Sequence, residues 1–353
     1  MPVMRIALIS PYSRGPARGN ITTVNRIARF LEQAGASTLV LSADCLSVDE
    51  MEQRLAEFRP DLVHGFHARY CGAITRHLAE RRKVPYVITI TGSDIHDPQL
   101  GEHSGTVKAI RSAQAMVCFD DRDAVMLAEW FPNTGGRIAV VPQGVEPLPV
   151  VAGENFGLAD DAFVVLLPAA LRPVKQVDFP LRAIAPLTQQ VPSLQLAIAG
   201  GVIDQDYAAT IRGMLCVAPF ATWLGEVPHE RMGSLYARAD LVINCSRSES
   251  MPNSLMEAMA LGRPVLAADI PGNRSLVCHE ETGWLYRDEP GFRELVVRIA
   301  GDASLRAAFG RRGQEHVLAK HAPELEAGRL LALYRSLGLT DSPLDKLLPG
   351  MVL

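Results

Sequence analysis

Short aliphatic and β-branched runs alternate with longer amphipathic stretches from the first residues of the chain onward. That alternation is the pattern of parallel strands covered by helices on both faces. Residues 4–10, 38–42, 62–64, 86–90, 115–119 and 137–141 read as strands. Residues 21–33, 48–58, 70–82 and 124–130 between them have helical spacing. Residues 142–157 are rich in Pro, Gly and Val without a helical period, which suits a connector. The alternation then restarts, with strands at 163–167, 195–199, 221–224, 241–244 and 264–267. Helices are expected at 179–190, 207–215, 230–238, 253–261 and 292–300, and 305–337 is mostly helical. The reading is therefore an α/β chain of two doubly wound domains, residues 1–147 and 148–338, with the closing helices in the second. Residues 339–353 form a tail. At 353 residues, 48% of them hydrophobic, the chain is long enough for two cores.

Several function classes fall away. No apolar run approaches the ~20 residues that cross a bilayer, and no signal peptide is read. The six cysteines are scattered, with no C-x-x-C pair and no histidine at metal-ligand spacing, so they read as reduced thiols of a cytoplasmic protein. Net charge is −4, and the first 147 residues hold 16 basic and 16 acidic side chains, so no nucleic acid is expected as a partner. Arg76, Arg81, Arg82 and Lys83 cluster locally. They suit either a peripheral contact with anionic lipid or, as favoured here, a helix C-terminus.

Doubly wound domains bind ligands at the carboxyl ends of their strands. The polar loops 15–20, 91–97, 171–176 and 246–253 sit there. The first lacks the G-x-G-x-x-G turn of a nicotinamide-dependent oxidoreductase, and no P-loop sequence occurs. Gly19 and Asn20, before a helix, let a backbone amide approach a phosphate, although such a turn also serves as a plain cap. In the second half, Arg172 and Lys175 follow a strand. A two-donor guanidinium beside a compact ammonium suits a pyrophosphate, and a structural ion pair is the alternative.

The strand at 241–244 runs into Cys245-Ser246-Arg247-Ser248-Glu249-Ser250-Met251-Pro252-Asn253-Ser254-Leu255-Met256-Glu257. Glutamates eight apart also occur at Glu146 with Glu154 and at Glu281 with Glu289, so spacing alone decides nothing. Only Glu249 and Glu257 straddle a strand, a Pro-Asn turn and a helix start. There the free amides around Asn253 to Leu255 favour a diphosphate and leave a carboxylate for hydroxyls on each side.

With Arg172-Pro173-Val174-Lys175 and Leu224-Gly225-Glu226-Val227-Pro228, this segment resembles glycosyltransferase family 4, retaining enzymes of the GT-B fold. Ile270-Pro271-Gly272-Asn273 and the opening Gly19-Asn20-Ile21-Thr22 are similar to the glycosyltransferase 1 domain-containing subgroup, and selenosugar synthases share the Gly-Asn opening and a Thr-Gly-x-Asp loop. The resemblance implies two Rossmann-like domains facing across a cleft, and transfer of a hexose or N-acetylhexosamine from a UDP-sugar to a small-molecule or glycan acceptor. It implies that Arg172 and Lys175 neutralise the leaving diphosphate, with no cofactor and no metal. Glu249 would face the sugar, with Ser250, Met251, Pro252 and Asn253 around the donor. Glu257 would bind the ribose, and the backbone of Ser254 and Leu255 the phosphate. Gly225, Glu226 and Val227 would lie by the base. In the first domain Gly19 would approach the pyrophosphate, and Thr91, Gly92, Ser93 and Asp94 would lie beside the sugar.

The chain departs from the family pattern at two places. Ser250 stands where a glycine is usual, a costly choice if that position needs a positive φ. Thr91 stands where a histidine is usual, and His64 or His67 is a candidate substitute. Asp204-Gln205-Asp206 has the form of a metal-binding Asp-x-Asp but opens a helix, where acids serve the dipole. A nucleotide-sugar epimerase or phosphorylase on the same scaffold and a non-catalytic nucleotide-sugar binder are the rival readings.

Overall fold

The computed structural model describes residues 3–13, 19–97, 99–154 and 156–338; the tail expected at 339–353 lies outside them. Two six-stranded sheets, parallel throughout, form the framework. The first holds β1 (Arg5–Ser10), β2 (Ser37–Ser42), β3 (Leu62–Phe66), β4 (Tyr86–Thr89), β5 (Ala115–Cys118) and β6 (Ile138–Val140). Its spatial order is β2-β1-β3-β4-β5-β6. The second holds β7 (Phe163–Pro168), β8 (Leu194–Ala199), β9 (Ala221–Trp223), β10 (Leu241–Asn244), β11 (Val265–Ala268) and β12 (Trp284–Tyr286), in the order β12-β11-β10-β7-β8-β9.

The first sheet is flanked by α1 (Gly19–Gln33), α2 (Val48–Phe58), α3 (Ala68–Arg82), α4 (Gly92–Ile95), α5 (Ser104–Ser112) and α6 (Asp121–Trp130). The second half carries α7 (Asp178–Ile184), α8 (Gln205–Leu215), α9 (His229–Arg238), α10 (Asn253–Ala260), α11 (Pro271–Arg274), α12 (Glu289–Gly301), α13 (Ala303–Lys320) and α14 (Pro323–Ser336). Strands such as β1, where Ile6, Ala7, Leu8 and Ile9 are all fully buried, read as continuous apolar runs because helices cover both faces of the sheet.

Both sheets reverse their winding once. The first turns between β1 and β3, the second between β7 and β10. At such a switch point adjacent loops leave in opposite directions and open a crevice. The loops carrying Arg172, Lys175 and Glu249 leave β7 and β10, so they border the second crevice.

The structure departs from the sequence expectation in four places. The stretch 91–113 contains α4 and α5, and β12 adds an edge strand of three residues; all three were unassigned. The helix expected over 179–190 ends as α7 at Ile184 and continues as a 3-10 turn, Ala185–Gln189, because Pro186 lacks the amide the α-ladder needs. Helix α14 was expected to close the second domain. Its Leu330, Leu331 and Tyr334 instead pack among Ile6, Leu8, Val24 and Leu31 of the first. An amphipathic pattern says that one face is buried, not against which sheet.

Two links fasten this crossing. Arg26 on α1 makes two hydrogen bonds of 3.1 Å to Glu326, both side chains nearly inaccessible. Beside them Val145 N–H donates to His321 carbonyl at 2.7 Å, so the outgoing connector and the returning chain run side by side. A Cβ on Gly144 would lie 2.8 Å from Glu326 Oε2 and 2.9 Å from Pro323 Cα, which leaves room only for glycine.

Candidate functional site

Lys175 and Glu249 meet at the second switch point. The Lys175 ammonium donates to Glu249 Oε1, which also accepts from Ser246 Oγ at 2.6 Å and Asn244 Nδ2 at 3.3 Å. Burial pushes the Glu249 carboxyl up, but the Lys175 charge and these hydrogen bonds outweigh it and hold its pKa below the ordinary value. The two loops are joined by Arg247 N–H donating to Val174 carbonyl at 2.9 Å. Gly272 closes the floor: a Cβ there would lie 2.0 Å from the Glu249 carbonyl oxygen. Asn273 ties β10 to β11 by donating to Asn244 Oδ1 at 3.3 Å and to Ala268 carbonyl at 2.8 Å.

Arg172 is the second cation. Its Nε is buried without a hydrogen-bond partner, and among the described residues it has no carboxylate at ion-pair distance. An unspent guanidinium beside a lysine is what an anion would complete. The start of α10 faces the same region, after Pro252. Leu255 N–H is already taken by Pro252 carbonyl at 3.1 Å, and its side chain is core. The expected run of amides is thereby narrowed, with Ser254 N–H the one lacking a partner among the described residues. Asn253 Oδ1 accepts from Gln143 of the connector, and Met251 packs against the second-domain core.

Glu257 lies farther along α10 and is held by α9: Tyr236 Oη donates to Oε2 at 2.8 Å and His229 Nε2 lies 3.2 Å from Oε1. This bond to Glu257 raises the His229 pKa. Gly225 adopts φ 73°, a conformation that strains other residues. Glu226 is exposed beside it, and Val227 is buried in the core.

On the first domain, Asp94 is fully buried and accepts from the amides of Ala68 (2.9 Å), Arg69 (3.0 Å) and Thr91 (2.9 Å). It therefore organises the loops after β3 and β4 and does not face the cleft, a correction to its expected place beside a sugar. Thr91 is likewise buried, with Oγ1 donating to Asp94 at 3.0 Å. Ser93 is exposed, and Gly92 touches the second domain: a Cβ on it would lie 2.7 Å from Ser250 Cβ. Gly19 and Asn20 are the first residues of α1, and residues 14–18 before them lie outside the described set.

His64 does not reach the cleft. It is fully buried, with Nδ1 2.6 Å from Tyr334 Oη and Nε2 2.8 Å from Thr89 Oγ1, and burial lowers its pKa to about 3. His67 does approach it, with Nε2 3.0 Å from Ser93 Oγ. Tyr70, 55% exposed, stands 4.3 Å from the His67 ring and 6.0 Å from Tyr12. Ser250 has no positive φ, so the strain considered for it does not arise. Its hydroxyl instead donates to Asp123, which sequence reasoning missed because nothing in a helix-capping run of acids marks one as an interdomain partner. Asp204 accepts from Tyr207 N–H at 2.9 Å as the cap of α8. Arg76 pairs with Glu80, and Arg81 lies 3.5 Å from Glu52, as at an ordinary helix end.

Two open concavities, about 670 and 460 Å³, lie at the β12 edge. The smaller reaches the site through Gln176, Ser246 and Arg247. Neither is lined by Arg172, Lys175 or Glu249.

Paired doubly wound parallel sheets, with cations and a capped carboxylate at the second switch point, define the class: a glycosyltransferase of the GT-B fold. The fold matches sucrose-phosphate synthase from Thermosynechococcus elongatus (TM-score 0.80, 21% identity, 95% of this chain and 99% of that one). It also matches Anabaena HepE in complex with UDP-glucose (TM-score 0.78, 17% identity, 94% and 100%). The model of glycosyl transferases group 1 matches residues 138–316 and that of Glycosyltransferase Family 4 residues 6–147, and the chain belongs to this glycosyltransferase family. Among its relatives, glycosyltransferase 1 domain-containing protein 1 of Xenopus tropicalis is 26% identical over 87% of this chain and 91% of that protein. The D-inositol 3-phosphate glycosyltransferase of Nocardia farcinica is 29% identical over 72% of this chain, which spans 62% of that protein's length.

Proposed function

We propose that the chain is a retaining hexosyltransferase that moves a hexose or N-acetylhexosamine from a UDP-sugar to a hydroxyl of a small-molecule or glycan acceptor. The observation that carries this reading is the Lys175–Glu249 pair beside Arg172, whose buried Nε has no partner, at the second switch point. A diphosphate accepts from Arg172, Lys175 and the Ser254 amide, which stabilise the negative charge that grows as the sugar leaves. Glu249 then turns to the sugar hydroxyls and Glu257 to the ribose, with Gly225, Glu226 and Val227 beside the base. UDP-glucose in HepE supports uracil as that base. Departure and attack on one face of the sugar give retention. The two cations take the part of a metal, so chelation leaves turnover unchanged. All six cysteines are free thiols, which supports a cytoplasmic setting.

The test is UDP release from UDP-glucose and UDP-N-acetylglucosamine with acceptor extracts, alongside the Lys175→Ala and Glu249→Ala variants. The expected result is release by the wild type and a loss of about 100-fold or more in each variant. Donor binding without release under any acceptor would identify a non-catalytic binder. A changed sugar still attached to UDP would identify an epimerase.

A further inference from the structure

β3 and β4 end side by side, Phe66 paired with Thr89, and the loops that leave them bring three side chains into a row. Ser93 Oγ lies 3.0 Å from His67 Nε2. On the other side of the ring, His67 Nδ1 lies 2.7 Å from Asp94 Oδ1, a close but bent contact. The Asp94 carboxylate is fixed by three backbone amides and can only accept, so it favours the tautomer with the proton on Nδ1, across a contact too bent to count as a hydrogen bond. Nε2 then keeps a lone pair for the Ser93 hydroxyl. Thr91 Oγ1, 3.3 Å from Ser93 Oγ, donates to Asp94 and offers no competing base. A serine on a histidine oriented by a buried carboxylate is the arrangement that removes a hydroxyl proton.

Two further observations give the row a direction. His67 holds φ 76° and ψ 103°, a strained backbone for a non-glycine residue that persists only where its surroundings impose it. The ring is 2% exposed while Ser93 is exposed, so the serine is the outlet of the row. That outlet opens beside the donor residues, because Gly92 abuts Ser250, the neighbour of Glu249.

We propose that Ser93 takes the proton of the attacking acceptor hydroxyl and passes its own to His67. This rests on the glycosyl-transfer reading above. In the step, the acceptor O–H proton moves to Ser93 Oγ as the Ser93 proton moves to His67 Nε2. The acceptor oxygen's electron pair forms the bond to the sugar's anomeric carbon. The bond from that carbon to the diphosphate breaks with its electron pair going to UDP, beside Arg172 and Lys175. The imidazolium, stabilised by Asp94, then gives its proton to water or to the departing phosphate. Ser93 is the catalytic residue in this step, and His67 and Asp94 position and polarise it.

The experiment treats the full-length protein with a fluorophosphonate probe, locates the adduct by mass spectrometry, and measures UDP release from UDP-glucose in parallel. The expected adduct is on Ser93, formed at least tenfold more slowly in His67→Gln. Ser93→Ala lowers kcat for UDP release about 100-fold while KM for UDP-glucose stays within twofold, and Ser93→Thr restores part of kcat. Ser93 is exposed, so these variants keep the fold. UDP release without a Ser93 adduct, or Ser93→Ala with unchanged kcat, overturns the relay and leaves the transferase reading standing. A Ser93 adduct in a protein that never releases UDP overturns both.

Discussion

Ser250 of the second domain donates its hydroxyl to the buried carboxylate of Asp123 in the first, directly beside the contact between Gly92 and Ser250. Burial pushes the Asp123 pKa up, and the Ser250 bond works against that shift. This pair fastens the loop that follows Glu249 to the start of α6. Replacing Ser250 with Ala leaves a buried carboxylate without its donor, which costs about 1–3 kcal/mol. The expected outcome is a lower Tm and, in small-angle scattering, a larger radius of gyration. An unchanged radius would show that the pair does not hold the domains together.

Glu249 and Lys175 predict an acid limb of stability. The Glu249 pKa is lowered in the folded chain, so its contribution is present above the ordinary carboxylate value of 4.5 and is lost as pH falls through the folded value. Lys175→Met leaves Glu249 charged and unpaired, at a cost of up to about 3 kcal/mol near pH 7. Urea unfolding at pH 7 and pH 4 checks this: the variant is destabilised at pH 7 and loses less than the wild type on acidification.

His64 gives a second, separate limb. It is neutral when folded, with a pKa lowered to about 3, whereas the unfolded chain binds the proton near 6.5. Its contribution is therefore complete above pH 6.5 and falls by about 1.4 kcal/mol for each pH unit below that. His64→Gln retains partners for Tyr334 and Thr89 and flattens this part of the stability curve between pH 6.5 and 4.5.

The Arg26–Glu326 pair anchors α14 to the first domain. Glu326→Ala leaves a buried guanidinium unpaired at a cost of about 3–5 kcal/mol, and replacing both residues by apolar side chains of similar size recovers most of it. Tm measurements on the single and double variants test the coupling. Additive losses would mean that the two side chains act independently.

Much of the scaffold was legible because parallel strands buried on both faces are locally apolar and helices have their own period. The eleven strands read from the sequence agree in place with β1 to β11 to within two residues at either end. The short β12 and α4 carried too few residues for a period to show. The region of Arg172, Lys175 and Glu249 was legible because cations and a carboxylate after strands are unusual for core or surface alike. Which of them touch was not: spacing gave no hint that Lys175 closes on Glu249 or that Asp94 is spent on backbone amides.

The amino-acid sequence by itself determined the repeated strand–helix alternation, the break at 142–157, and a donor segment between Glu249 and Glu257, because these depend on local period and residue type. Tertiary structure alone decided that α14 returns to the first domain, that Ser250 meets Asp123, and that His67 rather than His64 stands behind Ser93. Each of these joins residues far apart in the chain, and such partners are chosen by which buried surfaces and hydrogen-bond groups complete one another, not by any property of either segment alone.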